Sequence, residues 1–403
     1  MAQTRRPLTV LMVGHSYCVA INRRLCHHLA LAGGDRIDVT VAAPSFYRGD
    51  LRPIPLEWLD GESYTLEPVK VFGSRVPYTF LYGKRLSELL AKPWDIVHAW
   101  EEPYILAGAQ IAWWTSPQST LIYSTFQNQP KRYPPPFLWT ERFAMKRAAG
   151  WTAFGTTIAE NLSQRIGYVD RPSRTIPLGV DGEVYHPDSA ARRRILRDLN
   201  WSETGPPIVG YLGRFVPEKG LHLLMRSLDQ LEAGTWRMLW VGGGPMESEL
   251  RIWAASHPDQ VRVVTGVPHA GVPAYLNAFD LLTAPSQTTP RWKEQLGRML
   301  LEAMSTGVPI IASDSGEIPH VVADAGKIVG EADEQGWVDA LRNLIASPDQ
   351  RALLSESGLE RARTVYSWPR IAHEFLDFFI ELRDRGNSVA TSTQTLPIAT
   401  HPQ

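Results

Sequence analysis

Short apolar runs that end in a glycine or polar turn and lead into helical stretches recur through most of the chain, and this alternation limits what it can fold into. The first run, Leu8 to Val13, stops at Gly14. His15, Ser16 and Tyr17 follow as a loop, Val19 to Ala32 reads as a helix, and Gly33 with Gly34 ends it. Asp38 to Ala43, Trp94 to Trp100 and Ser119 to Phe126 read as further strands. The segment Arg174 to Pro187, RTIPLGVDGEVYHP, breaks the pattern with Pro, Gly and Asp. A second set follows, with strands at Ile208 to Leu212, Met238 to Val241, Val261 to Val264 and Leu281 to Ala284. Helices are expected from Lys219, from Met246 and near Ala274. Strands alternating with helices predict an α/β fold with parallel, doubly wound sheets, whose ligands gather at the carboxyl ends of the strands.

With 403 residues there is material for two domains, each with its own core. The 41 basic and 42 acidic residues balance, so charge points to no nucleic acid or acidic polymer as partner. Cys18 and Cys26 are too few for a metal cluster or disulfide framework, and both read as buried thiols in a reducing cytoplasm. The apolar run after Arg5 and Arg6 is short and polar residues follow it, which predicts a first strand rather than a signal peptide. No apolar segment approaches the ~18 residues that a membrane span needs.

Chemistry concentrates in Pro285 to Pro319, PSQTTPRWKEQLGRMLLEAMSTGVPIIASDSGEIP. Glu294 and Glu302 are spaced E-x7-E, and eight steps at ~100° per residue would leave two helical positions ~80° apart, too far for one stripe. A helix starting near Leu296 reads better, with Glu294 in the preceding loop and Glu302 about two turns in. Gly297 then lets a ligand approach the first-turn amides, which makes an anion site with two carboxylates around it. Gly307 and Pro309 close the helix, Val308 to Ala312 is the next strand, and Ser313 to Gly316 turns. Two solvated surface charges on an ordinary helix are the plain alternative.

A second constellation, Gly213, Arg214, Lys219 and Gly220 in the pattern G-R-x-x-x-x-K-G, directly follows a strand and puts two cations at the same sheet edge. A diphosphate leaving group gains negative charge as its ester bond breaks, so fixed cations there would favour the transition state. No D-x-D string occurs, the pattern by which many enzymes hold a divalent ion on a diphosphate. Arg214, Lys219 and the helix N-terminus at Leu296 to Arg298 would neutralise it without metal. No separate cofactor is expected.

The string E-Q-L-G-R-x-L-x-E-A-M-x-x-G-x-P, followed by D-S-G-E-I-P, resembles the signature of the retaining nucleotide-sugar glycosyltransferases of the glycogen-synthase-like superfamily, family 4. The resemblance implies a GT-B-type fold, two Rossmann-like domains facing a cleft. It implies residues 1–182 as the acceptor-binding domain, 183–366 as the nucleotide-sugar domain and 367–385 as a helix packing back on the first. Residues 386–403, rich in Thr, Ser and Pro, are expected to be a disordered tail. It assigns Arg214 and Lys219 to the donor diphosphate, Glu294 to donor sugar hydroxyls and Glu302 to the ribose. Gly213, Gly243, Gln295, Leu296 and Gly297 join them on the donor side, with Gly14 from the first domain. The match is strong from Ile208 to Pro319, fair over Arg174 to Pro187, where the domains join, and loose before that.

Four residues at strand ends are candidates on the acceptor side: His15, His98, Glu102 and Gln127. A hydrogen-bonded structural role is the ordinary alternative for each histidine. HAWEEP resembles a segment that relatives carry after a central strand, and Gln127 stands where many have a histidine. It is grouped with the catalytic residues because an amide still positions a sugar, though it cannot exchange a proton. Lys131 to Arg147 mixes five basic residues with Tyr133, Phe137, Trp139 and Phe143. It suits peripheral contact with an anionic membrane as well as plain packing of Phe137 and Phe143. The expected activity is transfer of a sugar, with retention, to a glycan, lipid-linked or small-molecule acceptor. A nucleotide-sugar epimerase and a non-catalytic sugar-nucleotide binder are the alternatives.

Overall fold

The computed structural model describes residues 6–48 and 53–393, with side chains to residue 385. The chain forms two compact units, one of Met1–Pro177 with Trp368–Gln403 and the other of Leu178–Ser367.

Unit 1 is built on seven strands: β1 (Leu8–Val13), β2 (Ile37–Pro44), β3 (Thr65–Val69), β4 (Ile96–Ala99), β5 (Thr120–Thr125), β6 (Gly150–Ala153) and β7 (Ser173–Thr175). Their spatial order is β7-β6-β5-β4-β1-β2-β3, and every pairing is parallel. The central strands are apolar because both faces are covered: Val10 to Val13, Ile96 and Val97 are fully buried. The expected helix from Val19 begins only at Arg24 and runs to Gly33. Ahead of it lie two 3-10 turns, His15–Cys18 and Ala20–Arg23, parted by Val19 in an extended conformation. The buried Arg23 guanidinium fixes them by donating to the carbonyls of Tyr17 (2.6 Å) and Glu57 (2.7 Å).

Strands β3, β6 and β7 escape periodicity because they are short and carry Pro, Gly or charge: TLEPV, GWTA and SRT. The unit is closed by the helix Trp368–Thr393, which packs on the helix Arg24–Gly33. This helix continues past Arg385, so the first residues of the expected tail are helical. Residues 394–403 lie outside the described residues.

Unit 2 has six parallel strands: β8 (Ile208–Arg214), β9 (Arg237–Gly243), β10 (Val261–Thr265), β11 (Leu281–Ala284), β12 (Ile310–Ser313) and β13 (Lys327–Val329). They lie in the order β10-β9-β8-β11-β12-β13, so strand order reverses beside β8. That reversal opens a crevice at the carboxyl ends of β8 and β11. Trp236, Met238, Trp240, Leu224 and Trp337 pack the core beneath it. After Gly330 there are three helices: Glu334–Ala346, Pro348–Val365 and Trp368–Thr393. Ser347, whose side chain accepts from the Gln350 amide, separates the first two. Both cysteines are buried and free, and among the described residues no helix is long and apolar enough to cross a membrane.

Candidate active site

In unit 2, the loops after β8, β11 and β12 are stitched into one rim. The Gln287 amide donates to the Glu218 carbonyl (2.8 Å), the Ser313 hydroxyl to the Ser286 carbonyl (2.6 Å) and the Glu317 amide to the Glu294 carbonyl (3.0 Å). The D-S-G-E turn thus holds the backbone of Glu294 and lies behind the carboxylate. Gly220 has φ +73°, and a Cβ there would lie 1.8 Å from the Pro285 carbonyl oxygen, so only glycine lets these loops meet.

Lys219 reaches across this contact. Its ammonium pairs with the Glu294 carboxylate and lies 4.7 Å from the centroid of the Trp292 ring. The Ser286 hydroxyl also donates to Glu294, at 3.1 Å. Both charged side chains are nearly buried, so the pair is fixed and little screened. Arg214 ends β8 half-exposed, with the Glu218 carboxylate 3.8 Å away. A cation on the open face and a cation–carboxylate pair behind it can receive a diphosphate and a sugar hydroxyl at one strand edge.

The helix predicted near Leu296 runs Arg298–Ser305, capped by Gly297 at φ +73° and ψ +66°, a left-handed conformation that suits glycine. Leu296 and Gly297 are buried and Gln295 is exposed in the same turn. Glu302 lies on this helix, buried, and burial pushes its carboxyl up while Arg298 and Tyr185 oppose the shift. Gly213 is the next-to-last residue of β8 and Gly243 the last of β9, and space around Gly243 is open on the side where a Cβ would project. Trp292, Ser286 and Tyr185 were missed by sequence reasoning. Tyr185 was within reach, as the aromatic residue of the GVDGEVYHP segment. A groove of about 1050 Å³ between the 180–187 segment and the helix Pro348–Val365 is lined by none of the candidate residues.

In unit 1 the four candidates separate. His98 points into the core with no exposure, its Nε2 2.6 Å from the Ser124 hydroxyl and its ring against Phe375 and Phe379. Burial lowers its pKa to about 3, so it stays neutral and structural, not an acceptor-side group. Glu102 accepts from the Thr125 hydroxyl (2.7 Å), the Phe126 amide (2.8 Å) and the Gln127 side-chain amide (2.8 Å). Burial nevertheless raises its pKa.

Both ends of the Gln127 side chain are occupied. Its Nε2 serves Glu102, and its Oε1 accepts from the Tyr133 hydroxyl and Arg165 Nη1, each at 2.9 Å. Arg165 goes on to Glu141 at 2.6 Å. Gln127 thus organises a buried network and does not present its amide to a substrate.

His15 differs. It stands at the carboxyl end of β1, partly exposed, with Glu101 gripping both its backbone amide (2.6 Å) and its ring Nδ1 (2.7 Å). Gly14, just before it, packs against Trp100 and Tyr17. In the segment Lys131 to Arg147, the helix is Phe137–Arg147. Phe137 and Phe143 are only half-buried, Trp139 is 63% exposed, and Trp113 beside Phe143 is 74% exposed.

The chain matches the family described as Glycosyl transferases group 1 over residues 193–361 and the one described as Glycosyltransferase Family 4 over residues 22–184. It is 29% identical to a GDP-mannose-dependent alpha-(1-6)-phosphatidylinositol monomannoside mannosyltransferase of Mycolicibacterium smegmatis, over 56% of this chain and 62% of that protein. It is 29% identical to the 2-deoxystreptamine glucosyltransferase of Streptomyces kanamyceticus, over 54% of this chain and 52% of that one. The chain spans less than two thirds of the length of these curated relatives. Among solved structures, a glycosyltransferase of Rickettsia africae superposes with a TM-score of 0.73 over 94% of this chain and 99% of that one, at 14% identity. The Anabaena protein HepE, solved with UDP and glucose, gives 0.70 over 93% of this chain and 100% of that one, at 16% identity. With two parallel doubly wound sheets, the E-x7-E loop and helix at a sheet edge, and these two matches in tandem, the chain belongs to the family 4-type glycosyltransferases of GT-B fold.

Proposed function

We propose that this protein transfers a sugar from a nucleotide-sugar donor to a glycan, lipid-linked or small-molecule acceptor, with retention of configuration and without a metal ion. The observation that carries the reading is the Lys219–Glu294 pair beside Arg214 at the carboxyl ends of β8 and β11. Arg214 and Lys219 take the diphosphate, where negative charge grows as the glycosidic bond breaks. Glu294 orients hydroxyls of the donor sugar, and Glu302 holds the ribose. The backbone around Gly213, Gly243 and Gln295 to Gly297 follows the phosphates and nucleoside. Relatives use GDP-mannose, and HepE was solved with UDP, so a uridine or guanosine diphosphate sugar is the donor class.

Arg214→Ala, Lys219→Ala and Glu294→Ala should each lower turnover about a hundredfold or more, in the range of ~3 kcal/mol for one lost transition-state contact, with the fold intact. EDTA should leave turnover unchanged. Near-normal turnover in Lys219→Ala, or full loss with chelator, refutes the assignment.

Unit 1 supplies the acceptor side and a surface suited to an anionic bilayer. The exposed indole of Trp139 and the exposed cations Arg142 and Lys146 lie on one helix, whose Phe143 meets the exposed indole of Trp113, the mixture that headgroup depth favours. Sedimentation with anionic vesicles should weaken as salt rises and vanish in Trp139→Ala/Trp113→Ala. Equal sedimentation with neutral and anionic vesicles ends that part of the reading.

A further inference from the structure

His15 is the one acceptor-side candidate whose reactive atom is not consumed by the protein. The ring of His98 is in the core, while Glu102 and Gln127 satisfy each other. Glu101 is fully buried, and three donors converge on it: the His15 amide at 2.6 Å, the His15 ring Nδ1 at 2.7 Å and the Tyr82 hydroxyl at 2.5 Å. Those contacts fix its carboxylate and so fix the imidazole.

Tyr47 and Phe80 flank the ring at 4.9 and 5.5 Å, which denies it other rotamers. With Nδ1 committed to Glu101, Nε2 is the outward atom. It has no hydrogen bond among the described residues and lies on the partly exposed side of the ring. The position is the carboxyl edge of β1, where an open α/β sheet receives its ligand. A buried carboxylate that orients a histidine and leaves its far nitrogen outward is an arrangement for handling a hydroxyl proton or lone pair.

We infer that His15 Nε2 hydrogen-bonds a hydroxyl of a pyranoside acceptor, with Glu101 and Tyr82 as the positioning residues that aim it. This inference rests on the reading of unit 1 as the acceptor side. Charge selects a hydroxyl over an anion. Glu101 cancels the imidazolium, and Glu102 adds further negative potential, so no net positive charge faces outward. A hydroxyl, which both donates and accepts, fits either protonation state of Nε2, whereas an anion draws its attraction from the imidazolium alone.

The titratable groups around the ring are Glu101 and Glu102 after β4, Tyr82 on the strand Leu81–Tyr82 and Tyr47 on the strand Phe46–Arg48. Burial works against the imidazolium, but Glu101, through charge and hydrogen bond, and Glu102 outweigh it, so the His15 pKa is raised. Glu101→Gln therefore lowers it.

The test uses the full-length protein labelled with 15N and 13C histidine, the His15 ring signal being assigned by its loss in His15→Gln. Methyl α-D-mannopyranoside and methyl α-D-glucopyranoside are titrated in separately, with inorganic phosphate as the anionic arm. At least one pyranoside should move the His15 signal saturably at both pH 6 and pH 8.5, and phosphate should not. Glu101→Gln should move the His15 titration to lower pH and weaken pyranoside binding severalfold, while Glu101→Asp restores part of both. A His15 signal that answers to neither pyranoside overturns the inference, as does phosphate binding lost on raising the pH. An unchanged His15 titration in Glu101→Gln refutes the positioning role. Hydrolysis of UDP-glucose and of GDP-mannose, measured on the same samples, reports the donor reading separately. Lost hydrolysis with intact pyranoside response, or the reverse, shows which of the two fails.

Discussion

At the scale of single residues, the structure sorts side chains that look alike in the sequence by what surrounds them. His15 and His98 both fall at strand ends, but His15 meets a buried carboxylate and His98 meets phenyl rings and a serine. Position along a strand was legible, whereas the identity of the opposing element was not, because Phe375 and Phe379 come from a helix at the far end of the chain. The low pKa of His98 carries a pH dependence whose sign follows from linkage. Its folded pKa of about 3 lies below the ~6.5 of an unfolded histidine, so between those values the unfolded chain binds the extra proton. Stability from this group is complete above about pH 6.5 and falls as pH drops, by up to ~1.4 kcal/mol per unit, levelling near pH 3. Thermal melts of His98→Gln should show a shallower acid slope than the parent. Parallel slopes would place His98 elsewhere than in the core.

At the scale of elements, unit 2 was read closely because most of its strands are short apolar runs bounded by Gly, Pro or Asp. The helix after Gly297 starts within two residues of its expected place. Unit 1 was read less well. Its edge strands contain Pro, Arg and Glu, and the turns before Arg24 are set by a buried guanidinium whose partners, Glu57, Glu62 and Tyr64, lie far along the chain. Neither feature has a period. The helix Trp368–Thr393 supplies buried Phe375, Phe378 and Phe379 to unit 1, so this unit is completed by the last part of the described chain. Phe379→Ala should destabilise it by about 3–5 kcal/mol through the lost burial and cavity. Calorimetry should show one transition displaced downward and the other unmoved. A displacement of both would mean that the two units do not unfold independently.

At the scale of the whole molecule, function was more legible than acceptor. The residues proposed for the donor side lie in one contiguous stretch and one strand end, so a linear motif carries them, and in the structure Lys219 pairs with Glu294. The residues proposed for the acceptor side, His15 with Glu101 and Tyr82 behind it, come from separate parts of the chain, and no linear pattern encodes which of those side chains faces outward. Gln127 shows the cost of reading position alone: its amide is held between Glu102 and Arg165, away from the role of a sugar-binding group.

The central claim is that unit 2 activates a nucleotide sugar with retention, using protein cations. Its most direct test is the anomer released when water replaces the acceptor. UDP-α-D-glucose and GDP-α-D-mannose, each incubated with the full-length protein in EDTA, are followed by proton NMR before mutarotation sets in. The account predicts slow hydrolysis of one donor to the α-anomer, abolished in Lys219→Ala. First release of the β-anomer, dependence on added metal, interconversion of the donor sugar without hydrolysis, or undiminished hydrolysis in Lys219→Ala would contradict it.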